Sequence, residues 1–235
     1  MPASKPPSSS SQNSAPVPRL RRKHARPGEL VDAALDLFVE KGFAATRMEE
    51  VAARAGVSKG TVFLYFSGKE ELFKAAVREN ISGRFVEWQA EFLSFTGTSE
   101  EMVRYCMNSW WERMGSTRAS GIYKLMVSEG RNFPELARFY QEEVIQPGHL
   151  LIRRILQRGI DRGEFRPVNL DYALFSLVAP MIFLMLSRHS LGVCVRDDVQ
   201  LDPLEYIAVQ ADILLHGLKT TSPGTAQESG SPDRA

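Results

Sequence analysis

Residues 58–66, Ser-Lys-Gly-Thr-Val-Phe-Leu-Tyr-Phe, gather hydroxyls from Ser58 and Thr61, the ammonium of Lys59 and the phenol of Tyr65, with no acid among them. Those groups suit contact with a polyanion, because hydroxyls and ammonium groups pair with phosphate oxygens. Ser58 is also of the type that accepts a backbone N–H and so starts a helix. At 100° per residue, turning Val62, Tyr65 and Phe66 toward a core points Gly60 and Leu64 outward and leaves Thr61 and Phe63 on the flanks. An outward face with large apolar side chains and no acid fits a major groove, where thymine methyl groups accept apolar contact. Glycine within such a helix weakens it unless another surface must come close. The spacing leaves an alternative open, in which Phe63 and Leu64 pack beneath a neighbouring domain.

The elements that must position this segment are legible on its N-terminal side. A helix is expected from Pro27 to just before Gly42, with Val31, Ala34, Leu35 and Phe38 on one face and Glu29, Asp32 and Asp36 outside. A second, short helix follows Thr46, where Thr46 with Glu49 reads as a capping box and Met48, Val51, Ala52 and Ala55 form an apolar stripe. Gly56 ends it, and Val57 is the apolar residue of the turn. Two short helices joined by a glycine-bearing turn spell a helix-turn-helix.

Other chemistries find little support. The histidines, His24, His149, His189 and His216, are scattered without metal-ligand spacing, and there is no glycine-rich phosphate loop or nucleophile elbow, so neither catalytic residues nor a metal or other cofactor is expected. Cys106 and Cys194 sit in apolar surroundings without a CxxC spacing and fit a reducing compartment. With 43% apolar and 24% charged residues the chain reads as an ordinary soluble protein. Its start has no apolar segment of the secretory kind. The most apolar stretch, Tyr172 to Ser187, is expected to fall short of a membrane span and to be a buried or interface helix. The implied location is the cytoplasm, with no membrane partner.

A net charge of +1 conceals an uneven distribution. Lys5, Arg19, Arg21, Arg22, Lys23 and Arg26 fall in residues 1–26, a Pro- and Ser-rich stretch without acids that reads as a disordered basic arm. Residues 219–235 read as a second disordered tail. Between residues 27 and 73 eight acids oppose five bases, so the arm is expected to supply the missing attraction to phosphate; a merely solvated tail is the alternative.

The run Gly42-Phe43, Ala45-Thr46, Val51-Ala52, Ala55-Gly56-Val57-Ser58-Lys59-Gly60-Thr61-Val62-Phe63-Leu64-Tyr65-Phe66 and Lys69-Glu70-Glu71-Leu72 closely resembles the N-terminal domain of the TetR family of bacterial regulators. The resemblance covers roughly Pro27 to Ile81. It implies an all-α protein: an N-terminal three-helix helix-turn-helix DNA-binding domain over 27–73, and a C-terminal helical ligand-sensing and dimerisation domain over 74–218. It also implies that Thr46, Ser58, Thr61, Tyr65 and Lys69 fall where relatives contact phosphates and that Lys59, Gly60, Phe63 and Leu64 approach bases; Arg47 joins the candidate DNA contacts. The chain departs from the family pattern at Phe63, where tyrosine is frequent, and at Ser67-Gly68, where Pro-Ser is usual. The second departure moves the expected cap of the next helix to Ser67, with Glu70 as its box partner.

Ser67 to about Leu93 reads as one long helix linking two domains. Further helices are expected from about Glu100 to Met114, Ile122 to Gly130, Pro134 to Gln146, Gly148 to Arg162, Leu170 to Ser190 and Pro203 to Leu218. Phe85, Trp88, Phe92, Met107, Trp110, Trp111 and Tyr140 could line a pocket for an apolar or aromatic small molecule, or simply pack a bundle. The apolar helices around Leu174 to Leu186 and Ile207 to Leu218 lie where the resemblance implies a four-helix homodimer interface. A dimer would read a pseudo-palindromic operator in double-stranded DNA. The sequence thus points to a sequence-specific DNA-binding transcriptional regulator, most simply a repressor released by a small-molecule effector. An architectural DNA-binding protein without an effector is the alternative.

Overall fold

Gly42 sets the first boundary of the fold, with φ 89° and ψ 165° at the end of α1 (Pro27–Lys41), a backbone region open essentially to glycine alone. The computed structural model describes residues 26–190 and 201–219. The basic residues Lys5, Arg19, Arg21, Arg22 and Lys23, Cys194 and residues 220–235 lie outside that range. Among the described residues the chain is all helix, apart from an isolated bridge between Phe165 and Lys219.

After α1 come α2 (Met48–Arg54) and α3 (Lys59–Tyr65). The turn between them uses Gly56 at φ 71°, buries Val57 and bonds the Val57 N–H to the Ala52 carbonyl at 2.9 Å. Ser58 Oγ accepts the Thr61 N–H at 3.1 Å and so caps α3. The cap of α2 falls one residue later than expected. Arg47 is the capping residue, and its backbone N–H is taken by Glu50 at 2.9 Å. Thr46 is instead buried under the end of α1.

α4 (Lys69–Asn80) is capped by Gly68 without a side-chain bond, so the box expected of Ser67 and Glu70 is not formed. The single long helix expected through Leu93 is broken. Ile81 leaves the helical region, a tight turn spans Ser82–Arg84, and α5 (Phe85–Leu93) starts in a new direction. Gly83 marks the tightest point, where an added Cβ would stand 2.7 Å from the Arg78 carbonyl oxygen. Apolar periodicity runs through the break because both pieces bury residues in one core, Leu72, Phe73, Ala76 and Val77 before it and Phe85 and Trp88 after it.

α6 (Ser99–Trp110) is capped by Thr98 in a box with Glu101 and continues into a π-helical turn over Trp111–Gly115. α7 (Ser120–Glu129) follows. α8 (Pro134–Tyr140) then runs through a second π-helical turn, Gln141–Ile145, into α9 (Gln146–Asp161). The last two helices are α10 (Leu170–His189) and α11 (Pro203–Leu218), capped by Asn169 and Asp202.

Two apolar cores form. The first joins α1–α5 to α7 and α8. Its centre is a cluster of Phe38, Phe43 and Phe73 with ring centroids 5.4 to 5.8 Å apart, and Phe133 adds an edge contact at 4.8 Å to Phe43. This core therefore crosses residue 73, so the helix-turn-helix is packed directly on the C-terminal helices. The second core joins α6, α9, α10 and α11. α10, at 20 residues, is long and apolar enough by length and composition to cross a membrane, contrary to the shorter stretch expected. Leu174, Leu177, Met181, Leu184 and Met185 nonetheless pack it into the protein.

Candidate nucleic-acid interface and internal cavity

The helix-turn-helix presents α3 on the surface. Val62 is fully buried, while Phe63 and Leu64 are 44% and 82% exposed and Gly60 is open to solvent. Phe63 and Leu64 thus pack beneath no other part of the described chain. Tyr65, expected inward, is half exposed, because the helix ends there and Phe66 alone turns back against the core. The fold itself places no demand for glycine at position 60, where an added Cβ would meet nothing nearer than Ser58 Oγ at 3.8 Å.

Several expected contact residues are partly spent on the fold. Ser58 and Thr61 share a hydroxyl bond of 2.8 Å at the start of α3, and Thr61 is nearly buried. Thr46 is only 2% exposed, and its hydroxyl donates to the Gly42 carbonyl at 2.7 Å. As placed, that side chain cannot reach a phosphate. Lys59 pairs with Glu49 at 2.6 Å and lies 5.7 Å from the Phe63 ring centroid. Arg54 pairs with Glu40, and Lys41 with Glu50. Arg47 is exposed and makes no ion pair among the described residues. The pairs at Lys59, Arg54 and Lys41 hold the module's helices together, but each uses one base for one acid, so its excess of acids is unchanged.

Lys69 has a role the sequence did not disclose. Its Nζ donates to the carbonyls of Phe43 and Ala44 at 2.7 and 3.1 Å, and stands 4.5 Å from the Phe43 ring centroid. Burial pushes the ammonium below its ordinary pKa, against the pull of Glu129 and Glu70. From the other side Glu129, the last residue of α7, accepts the N–H groups of Phe43 and Ala44, each at 2.8 Å. One dipeptide between α1 and α2 is thus held through both its donors and its acceptors. Arg118, just before α7, adds pairs to Asp32 and Asp36 of α1, and Gly121 lets α7 approach Val39 of α1. α7 is the bracket between the reading head and the rest of the molecule.

In the second half a cavity of about 550 Å³ opens among α5, α6, α9 and α10. Six of the seven expected residues line it: Phe85, Trp88, Phe92, Met107, Trp110 and Tyr140. Trp111 does not; it lies roughly 100° round the helix from Trp110 and is buried in the second core. The sequence did not disclose Met114, in the turn that continues α6, or Tyr123, His149, Phe175, Met181 and Met185, which come from later helices. Both π-helical turns border the cavity, through Met114 on one side and Gln141, Val144 and Ile145 on the other; such turns recur at functional sites.

The polar groups of this wall are few. Glu91 receives Arg113 Nη1 at 2.8 and 2.9 Å and the Tyr105 hydroxyl at 2.9 Å, and the hydrogen bond from Arg113 holds its carboxyl below the usual range. Burial pushes the Cys106 thiol up to about 12 and raises the phenols of Tyr123 and Tyr140. Burial lowers the His149 imidazole, whose ring meets Phe175 edge-on at 5.6 Å. Among the described residues no group of His, Cys, Asp and Glu has the makings of a metal site.

An all-helical chain with an outward-facing helix-turn-helix has the architecture of a DNA-binding regulator, and here a walled cavity lies behind that motif. Comparison with known proteins specifies the family. Residues 30–76 match the model for bacterial regulatory proteins of the tetR family, and residues 95–192 match a tetracyclin repressor-like C-terminal domain. The HTH-type transcriptional regulator YfiR of Bacillus subtilis is 30% identical over 160 residues, covering 65% of this chain and 75% of the relative. The fatty acid metabolism regulator protein of the same organism is 26% identical over 148 residues, covering 63% and 74% of the two chains. A solved structure of FadR from Bacillus subtilis in complex with stearoyl-CoA superposes with a TM-score of 0.64 at 18% identity, over 82% of this chain and 100% of that one. The chain belongs to the TetR family and is a DNA-binding transcriptional regulator.

Proposed function

We propose that this protein is a homodimeric repressor that covers a pseudo-palindromic operator and leaves it when a small molecule fills the cavity behind α5 and α6. The observation that carries the reading is the surface of α3, where Gly60, Phe63 and Leu64 face solvent on a helix without acids. Phe63 and Leu64 meet base edges, Gly60 admits close approach, and Lys59, Arg47, Tyr65 and the N-terminus of α3 at Ser58 and Thr61 meet the backbone. Lys69 acts by holding the Phe43–Ala44 turn. The arm ahead of α1, with Arg26 at its junction, adds phosphate contacts along the duplex.

Residues 27–73 act as the reading unit and 74–218 as the sensing and dimerisation unit. Dimerisation follows from the exposed apolar residues of the last helices, Tyr172, Phe175 and Phe183 on α10 and Leu204, Val209 and Ile213 on α11. An apolar face of this size on adjacent helices fits self-association. Ligand occupancy is transmitted by α7, which walls the cavity with Tyr123 and grips the turn before α2 with Glu129. A ligand shifts the equilibrium only by its differential affinity for the free and operator-bound forms. The stearoyl-CoA held by the Bacillus FadR names one effector class to try. A regulator of this kind works in the cytoplasm, on the nucleoid, and needs no catalytic residues.

Selection of genomic fragments by the purified protein, followed by footprinting, tests the reading. The expected result is a palindromic footprint bound at least ~10³-fold more tightly than random duplex at physiological salt. Equal affinity for random and selected duplexes would refute a specific regulator, and an operator complex that no ligand dissociates would leave an architectural protein.

A further inference from the structure

One carboxylate stands at the edge of the surface assigned to DNA. Glu49, in the first turn of α2, reaches Lys59, the first residue of α3, with Oε1 and Nζ 2.6 Å apart. Lys59 Nζ also lies 5.7 Å from the Phe63 ring centroid, so the acid sits beside the face on which Phe63 is exposed. The hydrogen bond from Lys59 holds the Glu49 carboxyl below its ordinary range, and Glu49 is therefore ionised. Nearby acids have tasks within the fold: Glu50 takes the Arg47 N–H at the start of α2, and Glu40 receives both terminal nitrogens of Arg54. Among the described residues the one ion pair of Glu49 is with Lys59. Both partners are more than half exposed, and an exposed ion pair adds little to stability.

A carboxylate close to a duplex is repelled by the phosphates and needs a donor to offset that cost. In the major groove the donors on the bases are the amino groups of cytosine N4 and adenine N6. Adenine carries the acceptor N7 beside its amino group, which turns a carboxylate away, whereas cytosine has a C–H there. Residues at the N-terminal end of a recognition helix meet base edges, and Glu49 is held to the first residue of α3. Lys59 has three N–H donors, so one can stay on Glu49 while the others reach phosphate oxygens. We propose that Glu49 is a specificity-determining residue that accepts from the exposed N4 amino group of one cytosine in each half-site, while Lys59 holds the carboxylate in place and offsets its charge. This rests on reading α3 as the element that enters the major groove.

The test is selection from random-sequence duplexes by the full-length protein, followed by anisotropy titrations with single-position variants of the selected duplex. Each half-site is expected to contain a G·C pair whose cytosine can be replaced by N4-methylcytosine, which still pairs with guanine but loses its groove-facing amino hydrogen, at a cost of about tenfold in affinity. In Glu49→Ala the methylated and unmethylated duplexes should bind alike, and preference among bases at that position alone should relax. The ratio of affinities is the readout, because freeing Lys59 raises binding to both duplexes. If Glu49→Ala gains affinity uniformly on every duplex and keeps its preferences, the carboxylate only screens Lys59 and the proposal is overturned. A cytosine whose methylation matters equally in Glu49→Ala belongs to another residue and overturns it as well. So does the absence of any methylation-sensitive cytosine with the unaltered protein, a result that needs no variant to fold. Leu64→Ala separates the two levels. If it relaxes selection while Glu49→Ala relaxes none, the reading of α3 stands and this inference alone fails; if Leu64→Ala selects the same sequence with the same affinity, the reading of α3 fails and this inference with it.

Discussion

Removing the Glu129 carboxylate should loosen the turn between α1 and α2 and weaken operator binding. Glu129 ends α7, where a negative charge opposes the helix dipole at a cost of about 0.5 kcal/mol. Its two bonds to the Phe43 and Ala44 N–H groups, each 2.8 Å, outweigh that cost. A hydrogen bond to a charged group contributes about 1.5 kcal/mol at the low end. The Phe43 bond is partly buried and the Ala44 bond exposed, so water replaces the second more readily. Glu129→Ala should therefore lose about 2 kcal/mol, and Glu129→Gln, which keeps one neutral bond, about 1 kcal/mol. For a chain of this size about 2 kcal/mol lowers the melting temperature by roughly 4–8 °C. Where the same turn must be ordered on DNA, the ceiling on lost affinity is about thirtyfold. Thermal unfolding and fluorescence anisotropy with the selected operator measure the two effects side by side, with exposed Glu135→Gln as a control for bulk charge. If Glu129→Ala left both quantities within error of the control, α7 would not be the bracket described above.

The remaining expectations are independent of that one. Gly60→Ala meets only Ser58 Oγ at 3.8 Å, so it should leave the protein as stable or up to about 0.5–1 kcal/mol more stable while reducing operator affinity; unchanged binding would show that no surface approaches α3 at that point. Burial lowers the pKa of both His149 and His189 from the ordinary 6.5. The unfolded chain then binds more protons between the lowered values and 6.5, so stability should fall as pH drops through that window and level off below it. The His189 imidazole meets the Ser120 hydroxyl at 2.7 Å. In a His149→Gln, His189→Gln double variant melting curves should lose that part of their pH dependence, and an undiminished slope would assign it elsewhere. Cys106, with its thiol pushed up to about 12, should resist iodoacetamide at pH 8 in a Cys194→Ser background until the protein is denatured, and mass spectrometry would expose rapid native alkylation.

How the sequence relates to the structure differs between the reading head and the cavity. Pro27, Gly42, Gly56, Ser58 and Pro203 act on the backbone within a few residues of themselves, so the helix ends they specify stand where local chemistry puts them. The outward face of α3 is likewise a matter of helical period and is legible once Val62 is placed inside. Thr46 shows the limit of that reasoning. A hydroxyl before a helix suits a cap or a phosphate equally, and only the packing of α1 over it decided that it would bond Gly42 instead.

The cavity and its connection to α3 were decided by tertiary structure. Periodicity identified aromatic residues that face inward, but which of Trp110 and Trp111 meets the cavity and which the core was decided by the helices packed around them. The break at Ile81–Arg84 left no mark on the apolar pattern, because the helices on both sides contribute buried residues to the same core. Glu129 and Lys69 lie 86 and 26 positions from Phe43, and no local rule pairs groups so far apart. Local rules fix dihedral angles and burial faces; which carboxylate reaches which amide depends on how the helices stack, and that is settled by the whole core at once.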